Sequence, residues 1–211
     1  MYTNKRMQIF THFKQHSTIY IFMIILFLTG VIFGAVIVNS MGFVQKHDLF
    51  FYLEQYFEQI INGQSVASHK ILSSSFLYHL KYLALLAILG ISVIGLPIVW
   101  ILLFLKGLVI GFSVGFIVNQ LGMKGLILAA LSIAPQNFII IPIYIIAGCL
   151  SMTFSLLLIG KLFTRNVASP IFQPLGRYLT IFSILIVVSI IPALLEAYIS
   201  NHAMQTYINN L

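Results

Sequence analysis

Residues 83–120 read LALLAILGISVIGLPIVWILLFLKGLVIGFSVGFIVNQ, and the same apolar character extends from about Phe76 to Leu162. It is interrupted only at Gly95-Leu96-Pro97, around Gly122-Met123-Lys124 and at Pro135-Gln136-Asn137. A soluble core is not built from apolar runs of this length, whereas a lipid bilayer requires them because it disfavours polar side chains. The stretch therefore predicts an all-α, polytopic membrane helical bundle.

The composition of the whole chain favours the same class. Hydrophobic residues make up 60% and charged residues 7% of the 211 residues, against about 45–50% and about 25% in ordinary globular domains. The net charge of +7 would also suit a nucleic-acid-binding protein. The basic residues, however, stand at the ends of the apolar segments, so no nucleic-acid partner is predicted. Cys149 is the single cysteine, and an internal disulfide is therefore excluded.

Five spans are predicted in one membrane domain, residues 18–199, between an N-terminal segment (1–17) and a C-terminal tail (200–211). They cover about residues 18–39, 76–94, 97–119, 125–162 and 178–199. We prefer a break at Gly95-Leu96-Pro97 to one at Lys106, because glycine commonly follows a helix end and proline suits the first turn of the next helix. This choice places Lys106 near the middle of the membrane.

The fourth segment is too long for one straight crossing. Pro135 lacks a backbone donor and disfavours helix at the preceding residue, so we expect an interruption at this point. Gln136 and Asn137 would then hydrogen-bond the freed backbone. Residues 125–133 are predicted as a short re-entrant or interfacial half-helix, and residues 138–162 as the crossing helix.

The distribution of lysine and arginine predicts a cytoplasmic N-terminus and an extracytoplasmic C-terminus. In that orientation the inside receives six basic and no acidic residues, namely Lys5, Arg6, Lys14, Lys161, Arg165 and Arg177. The outside receives four basic and four acidic residues, namely Lys46, Lys70, Lys81, Lys124, Asp48, Glu54, Glu58 and Glu196. The main extracytoplasmic feature is then the loop of residues 40–75.

This loop contains one predicted amphipathic helix, residues 48–61. Its apolar face carries Leu49, Phe50, Leu53, Tyr56, Phe57, Ile60 and Ile61. Its polar face carries Asp48, Glu54, Gln55, Glu58 and Gln59, and Asn62-Gly63 would end the helix. Two interpretations stay open: a helix lying on the outer leaflet, or a docking surface for an outside partner that includes Glu54, Phe57 and Glu58.

Small residues recur at four-residue spacing on two of the predicted spans. Gly30 and Gly34 share one face of the first span, and Gly107, Gly111 and Gly115 share one face of the third. Such faces let another helix approach closely, and packing of this kind drives helix association in lipid. The pattern indicates packing within the bundle or contact with a partner helix, including a second copy in a homo-oligomer.

No catalytic arrangement emerges from the sequence. The segment Gly111-Phe112-Ser113-Val114-Gly115 matches the Gly-x-Ser-x-Gly pattern of serine hydrolases, but that motif needs a strand–turn–helix elbow. All six histidines are expected outside the core of a span, namely His12, His16, His47, His69, His79 and His202. Since metal-ligand spacings and a glycine-rich nucleotide loop are also missing, we predict no enzyme activity, no metal and no cofactor.

Lys106, Gln136 and Asn137 are the polar residues expected inside the membrane. A cation at that depth is costly and usually faces a bundle interior or a water-filled cavity. Lys106 would therefore contact an anion or a partner helix, or else extend its amine toward the interface. The interruption at Pro135 is also similar to the broken helices of transporters. A small channel or transporter that uses Lys106 and this break is thus the alternative function.

Four stretches, in order along the chain, resemble the stage II sporulation protein M family. They are IFGAVIVNS (32–40), ILGISVIGLP (88–97), FLKGLVIGFSVG (104–115) and APQNFIIIP (134–142). More distant relatives carry Pro-His-Gly and a downstream glutamate at the last stretch. Here those positions are Pro135, Gln136, Asn137 and Ile140, so no role of that histidine or glutamate is carried over.

The resemblance implies a function that residue patterns alone do not give. Members of this family are multi-span proteins of the mother-cell membrane, required for thinning of the septal cell wall and for engulfment of the forespore. They are thought to hold two peptidoglycan hydrolases, the stage II sporulation proteins D and P, in one complex. The resemblance thus implies a non-enzymatic scaffold in the septal and engulfing membrane, whose partners are the bilayer and these two hydrolases.

Overall fold

The computed structural model describes residues 17–61, 67–164 and 172–208, and none of these residues lies in a β-strand. The elements in chain order are α1 (Ser17–Ser40), α2 (Phe43–Ile61), α3 (Ser68–Ile91), α4 (Gly95–Ser132), α5 (Ala134–Thr164), α6 (Phe172–Val188), α7 (Ile190–Leu194), a π-helical turn (Leu195–Ser200) and α8 (Asn201–Ile208). Five helical stretches are long and apolar enough to cross a membrane, namely Ser17–Ser40, Ser68–Ile91, Gly95–Ser132, Ala134–Lys161 and Phe172–Tyr207. The predicted fold class, a helical membrane bundle, is confirmed.

The second crossing helix begins earlier than the sequence indicates. We predicted a span over residues 76–94, whereas α3 starts at Ser68 and ends at Ile91. The polar residues near its start, including Ser75 and His79, are buried in the bundle, where side chains of other helices hydrogen-bond them. Their polarity made the segment look like a loop. The region between the first two spans is correspondingly shorter than the predicted 40–75.

The connection between α3 and α4 lies just before the predicted break at Gly95-Leu96-Pro97, and not at Lys106. Residues 92–94 form the turn, and α4 continues through Lys106 without a break. The next discontinuity is at Gly122, whose φ of 58° and ψ of −132° are not helical. A positive φ strains a residue that has a Cβ atom, so glycine is suited to this position. The kink divides α4 into two helical parts.

The predicted interruption at Pro135 lies two residues too far along the chain. The helix is interrupted at Ile133, and Pro135 occupies the first turn of α5, where its missing N–H group has no helical partner to lose. The predicted half-helix of residues 125–133 corresponds to the second part of α4, between Gly122 and Ser132. Pro142 lies inside α5.

The tightest packing in the described part of the chain joins α1 to α4. A Cβ atom at Gly30 would collide with the carbonyl oxygen of Phe104, and one at Gly34 with that of Leu108. A Cβ atom at Gly111 of α4 would likewise collide with the carbonyl oxygen of Val31 on α1. The two backbones can approach this closely only because both contact faces lack side chains there, as expected for helix packing in lipid.

Side-chain hydrogen bonds to backbone carbonyls tie the other helices together. The hydroxyl of Tyr82 on α3 donates to the Leu102 carbonyl on α4 at 2.8 Å. Ser151 on α5 and Tyr178 on α6 donate to carbonyls of α3, at 2.8 Å in both cases. In a bilayer such bonds hold helices together because no water competes for the carbonyls.

Helix α2 lies beside the bundle and is anchored at its C-terminal end. Ile60 is buried against Leu128 of α4, and side chains of α4 and α8 complete this small cluster. The helix begins at Phe43, five residues before the predicted start. It is not among the stretches that could cross a membrane.

Several predictions fall outside the described residues. They concern the N-terminal segment with Lys5, Arg6 and Lys14, the helix stop at Asn62-Gly63, Arg165, and the last three residues of the tail. The N-in, C-out orientation depends on these basic residues and stays a prediction.

Candidate functional site

A polar cavity of about 400 Å³ lies among α3, α4, α5 and the π-helical turn. Its walls are formed by Ser74, Ser75, Tyr78, His79, Lys106, Val109, Ile110, Ser113, Ile133, Gln136, Asn137, Ile140 and Glu196. The three polar residues that the sequence placed inside the membrane, Lys106, Gln136 and Asn137, thus line one cavity. Because each wall helix belongs to a candidate span, the cavity concentrates polar chemistry where a bilayer makes it costly.

Lys106 projects from α4 into a group of tyrosine rings. Its Nζ atom donates a hydrogen bond to the Tyr78 hydroxyl at 3.2 Å. The same atom lies 4.5 Å from the centre of the Tyr78 ring and 5.2 Å from that of Tyr144. Aromatic faces attract a desolvated cation, so the rings stabilise the charge without neutralising it.

A hydrogen-bonded chain of side chains crosses the cavity wall. Ser75 Oγ donates to Glu196 Oε2 at 2.5 Å, and it lies 3.3 Å from His79 Nε2. On the far side of the ring, His79 Nδ1 lies 2.7 Å from the Tyr144 hydroxyl. Since a serine has one hydroxyl proton, a neutral His79 must donate from Nε2 to Ser75 and accept at Nδ1 from Tyr144.

This hydrogen-bonded series of side chains was not predicted, and two expectations about its residues are wrong. We expected every histidine outside the core of a span, but His79 is only 5% exposed and lies within α3. We counted Glu196 among the outer charges, but it lies at the cavity within the last candidate span. An acidic residue inside the apolar run of residues 179–199 was the signal that could have identified it.

The geometry differs from that of a serine hydrolase. In a catalytic triad the carboxylate holds the histidine and the histidine faces the serine. Here Glu196 contacts Ser75 directly, and the remaining nitrogen of His79 faces a tyrosine. Ser113 of the Gly-x-Ser-x-Gly segment lies within the continuous helix α4, not on a strand–turn–helix elbow. Within residues 17–61, 67–164 and 172–208, no group of three or more potential metal ligands occurs.

A smaller cavity of about 140 Å³ shares Gln136 and Glu196 with the first. Its other walls come from α2, α3, α8 and the π-helical turn, through Tyr56, Ile71, Ser132, Ser200, Asn201 and Met204. Gln136 Oε1 and Ser200 Oγ are both buried without a hydrogen-bond partner. The two cavities together therefore contain unused hydrogen-bonding capacity.

The amide side chains after Pro135 have different roles. Asn137 Nδ2 donates to the Ile133 carbonyl at 2.7 Å, so Asn137 satisfies backbone freed by the interruption, as predicted for both residues. Gln136 does not use its carbonyl oxygen in this way, because that atom has no partner. That oxygen is buried, in a residue that lines both cavities.

The remaining predicted residues lie elsewhere. Gly30, Gly34, Gly107, Gly111 and Gly115 face one another across the contact between α1 and α4. On α2, Glu54 and Glu58 are exposed, whereas the aromatic ring of Phe57 packs into the cluster around Ile60. Tyr56 of the same helix reaches the smaller cavity, where partial burial and, secondly, the charge of Glu196 raise the pKa of its phenol.

The comparison with known families matches this architecture to one of them. A family model described as stage II sporulation protein M matches residues 23–201, from the first turns of α1 to the start of α8. The chain belongs to the stage II sporulation protein M family. The match covers every residue that lines the first cavity, and it identifies the chain as a sporulation-related, multi-pass membrane protein.

Neither a curated protein nor a solved structure matches the chain significantly. The functional interpretation of this family member therefore rests on the family, the helical bundle and the geometry of its polar and exposed surfaces.

Proposed function

We propose that this member of the stage II sporulation protein M family is a non-enzymatic membrane scaffold. It would hold the stage II sporulation proteins D and P, two peptidoglycan hydrolases, at the septal and engulfing membrane of the mother cell. Family membership supports a sporulation-related membrane protein. One observation supports the more specific scaffold role, namely the composition of the outward face of α2.

Helix α2 presents aromatic rings and carboxylates together. Tyr52 and Phe51 are 67% and 51% exposed, and Glu54 and Glu58 are exposed beside them. Aromatic residues surrounded by polar groups are typical of protein interfaces, since they provide large contact areas at little cost in side-chain entropy. The helix is fixed to the bundle at Ile60, so this face is presented to a partner in a defined orientation.

The glycine faces, in contrast, do not serve as the partner surface in this proposal. Gly34 of α1 and Gly111 of α4 are each covered by the backbone of the other helix. A partner helix would have to separate α1 from α4 to reach them. The proposed docking surface is therefore limited to the outer face of α2.

Affinity purification in mild detergent from sporulating cells tests the proposal. The wild-type chain should recover both hydrolases, and a variant carrying Phe51→Ala, Tyr52→Ala and Glu58→Gln should lose most of both. Phe138→Ala is the control, because Phe138 is also an exposed aromatic residue but lies near the start of α5, away from α2. Equal recovery of the hydrolases by all three proteins, at equal membrane levels, would rule out α2 as the docking surface.

A second candidate function, a small channel or transporter, is supported by one observation. Lys106, Gln136 and Asn137 line a common cavity, which is the arrangement a substrate pathway requires. Solute flux in proteoliposomes, compared between the wild type and Lys106→Met, tests this function. Flux that depends on Lys106 would favour transport; an impermeable wild type that still recovers both hydrolases would favour the scaffold.

A further inference from the structure

Two opposite charges face the large cavity without pairing. Lys106 and Glu196 both belong to its walls, yet no ion pair joins them; their nearest polar partners are Tyr78 and Ser75. Burying an unpaired charge is costly, and a bilayer makes the cost higher. The wall therefore holds a cation and an anion separately, each with part of its coordination unused.

The buried polar groups without hydrogen-bond partners are concentrated at the end of the cavity that contains Glu196, here called the acidic side. Gln136 and Glu196 line both cavities, and Gln136 Oε1 is buried without a hydrogen-bond partner. Ser200 lines the smaller cavity and is only 3% exposed, and its hydroxyl is likewise buried without a hydrogen-bond partner. Two acceptors and a hydroxyl at one end match a ligand group that donates several hydrogen bonds, such as a primary ammonium.

The opposite end of the cavity, which contains Lys106 and is here called the basic side, is complementary to an anion. The Nζ of Lys106 uses one of its three donors on Tyr78, and Ser113 lines the same cavity from α4. The Ser74 hydroxyl does not contribute, because it already donates to carbonyls of α3. A ligand with only an anionic group would meet the carboxylate of Glu196, and a purely cationic one would meet Lys106. A zwitterion satisfies both ends.

We propose that this cavity binds a small zwitterionic group with a primary ammonium at one end and an anion at the other. The ammonium lies against Glu196 and Gln136, and the anion lies against Lys106. The volume of about 400 Å³ falls within the usual range of ligand sites, about 300–1,000 Å³. The site is independent of α2 docking to a hydrolase, so the scaffold proposal can fail without affecting it.

Two sources can supply this chemistry. Tyr78 and Val109 line the cavity and are also about half exposed on the bundle surface, so the cavity opens beside α3 and α4, where lipid is present. A phosphatidylethanolamine headgroup carries a phosphate and a primary ammonium and could enter there. A free amino acid carries the same pair of charges and would enter from water.

Thermal unfolding of the full chain in detergent distinguishes these sources. One series adds short-chain phosphatidylethanolamine, phosphatidylcholine or phosphatidylglycerol, and a second adds alanine. A lipid site should give half-maximal stabilisation at a concentration about tenfold lower for phosphatidylethanolamine than for the other two lipids, because only its ammonium donates to Glu196. A free-zwitterion site should give saturable stabilisation by alanine.

Matched variants assign any effect to the cavity. Glu196→Gln should remove the preference for phosphatidylethanolamine over phosphatidylcholine, or the response to alanine, and Lys106→Met should weaken binding of either ligand about tenfold. Lys81→Gln changes an exposed charge outside the cavity and should behave as the wild type. If Glu196→Gln does not fold, Ser200→Ala provides a second variant on the acidic side, with a severalfold loss expected. No stabilisation by any zwitterion, or equal stabilisation in the cavity variants, would overturn the proposal.

Discussion

Two faces of helix α4 differ in how closely their surroundings are packed. One face, with Gly107 and Gly111, lies so close to α1 that no side chain fits between the backbones. The other, with Lys106 and Ser113, lines a cavity of about 400 Å³. Adjacent residues, 106 and 107, therefore belong to an open cavity and to a close helix–helix contact. The glycine face therefore holds α1 and α4 together, whereas the cavity face can carry polar groups that do not stabilise the bundle.

The largest effect on stability is expected from filling the glycine face. Gly111→Ala places a methyl group against the carbonyl oxygen of Val31, a backbone atom that can move only if the helices separate. We expect the free energy of unfolding to fall by about 2 kcal/mol, the usual cost of overpacking. Denaturation by sodium dodecyl sulfate in mixed micelles measures this change.

Gly176→Ala is the matched control for this substitution. Gly176 lies on α6, and a Cβ atom there would meet open space. Because alanine is the better helix former, this variant should be neutral or slightly more stable. Equal destabilisation by the two substitutions would mean that glycine content, and not the α1–α4 contact, determines stability.

An intermediate effect is expected at the hydrogen bonds between helices. Tyr178→Phe removes the donor to the Ala87 carbonyl, and the same unfolding measurement should show a loss of about 1 kcal/mol. Tyr198→Phe is the control, since Tyr198 is 54% exposed. A loss at Tyr198 as large as that at Tyr178 would contradict the proposed contribution of the buried bond.

The smallest effect on stability is expected at the cavity face. Glu196→Gln removes an unpaired carboxylate, and the amide oxygen can still accept from Ser75. We expect the free energy of unfolding to change by less than about 0.5 kcal/mol or to increase, because the cost of desolvating the charge disappears. A loss comparable with that of Gly111→Ala would show that the two faces do not differ as proposed.

Water access provides a further test that involves little change in stability. Lys106→Cys should react with a small aqueous thiol reagent, since position 106 lines the open cavity. Leu103→Cys, fully buried less than one turn away, should be protected, and the native Cys149 is also buried. Protection of both engineered cysteines would show that water does not enter the cavity.

The sequence predicted the fold class well because the signal is simple. Length and hydropathy identify membrane helices, and a glycine–proline pair marked the turn before α4. The start of α3 was missed because Ser75 and His79 are polar, and single-sequence reasoning assigns polar residues to the outside. Burial of a polar residue depends on partners that are distant in sequence, here Tyr144 and Glu196.

The candidate site was predicted only in part for the same reason. Lys106 was identified because a lysine stands out in an apolar run, and Gln136 and Asn137 because they follow a proline. Glu196 was assigned to the outside since it lies near the end of a span, where acidic residues are common. The Ser75–Glu196 bond joins residues 121 positions apart, and nothing in local periodicity indicates such a pair.

The π-helical turn at Leu195–Ser200 determines which way the side chains after it face. Such a turn holds one residue more than the α-helical turn in its place, because its hydrogen bonds span five residues and not four, and such turns occur frequently at functional sites. Deleting a residue here would restore a regular helix and rotate everything beyond it by about 100°. Met204 and Tyr207, which pack with the end of α2, would then face elsewhere. The extra residue of this turn thus couples the side chains at the cavity to the packing against α2, the helix beside the bundle.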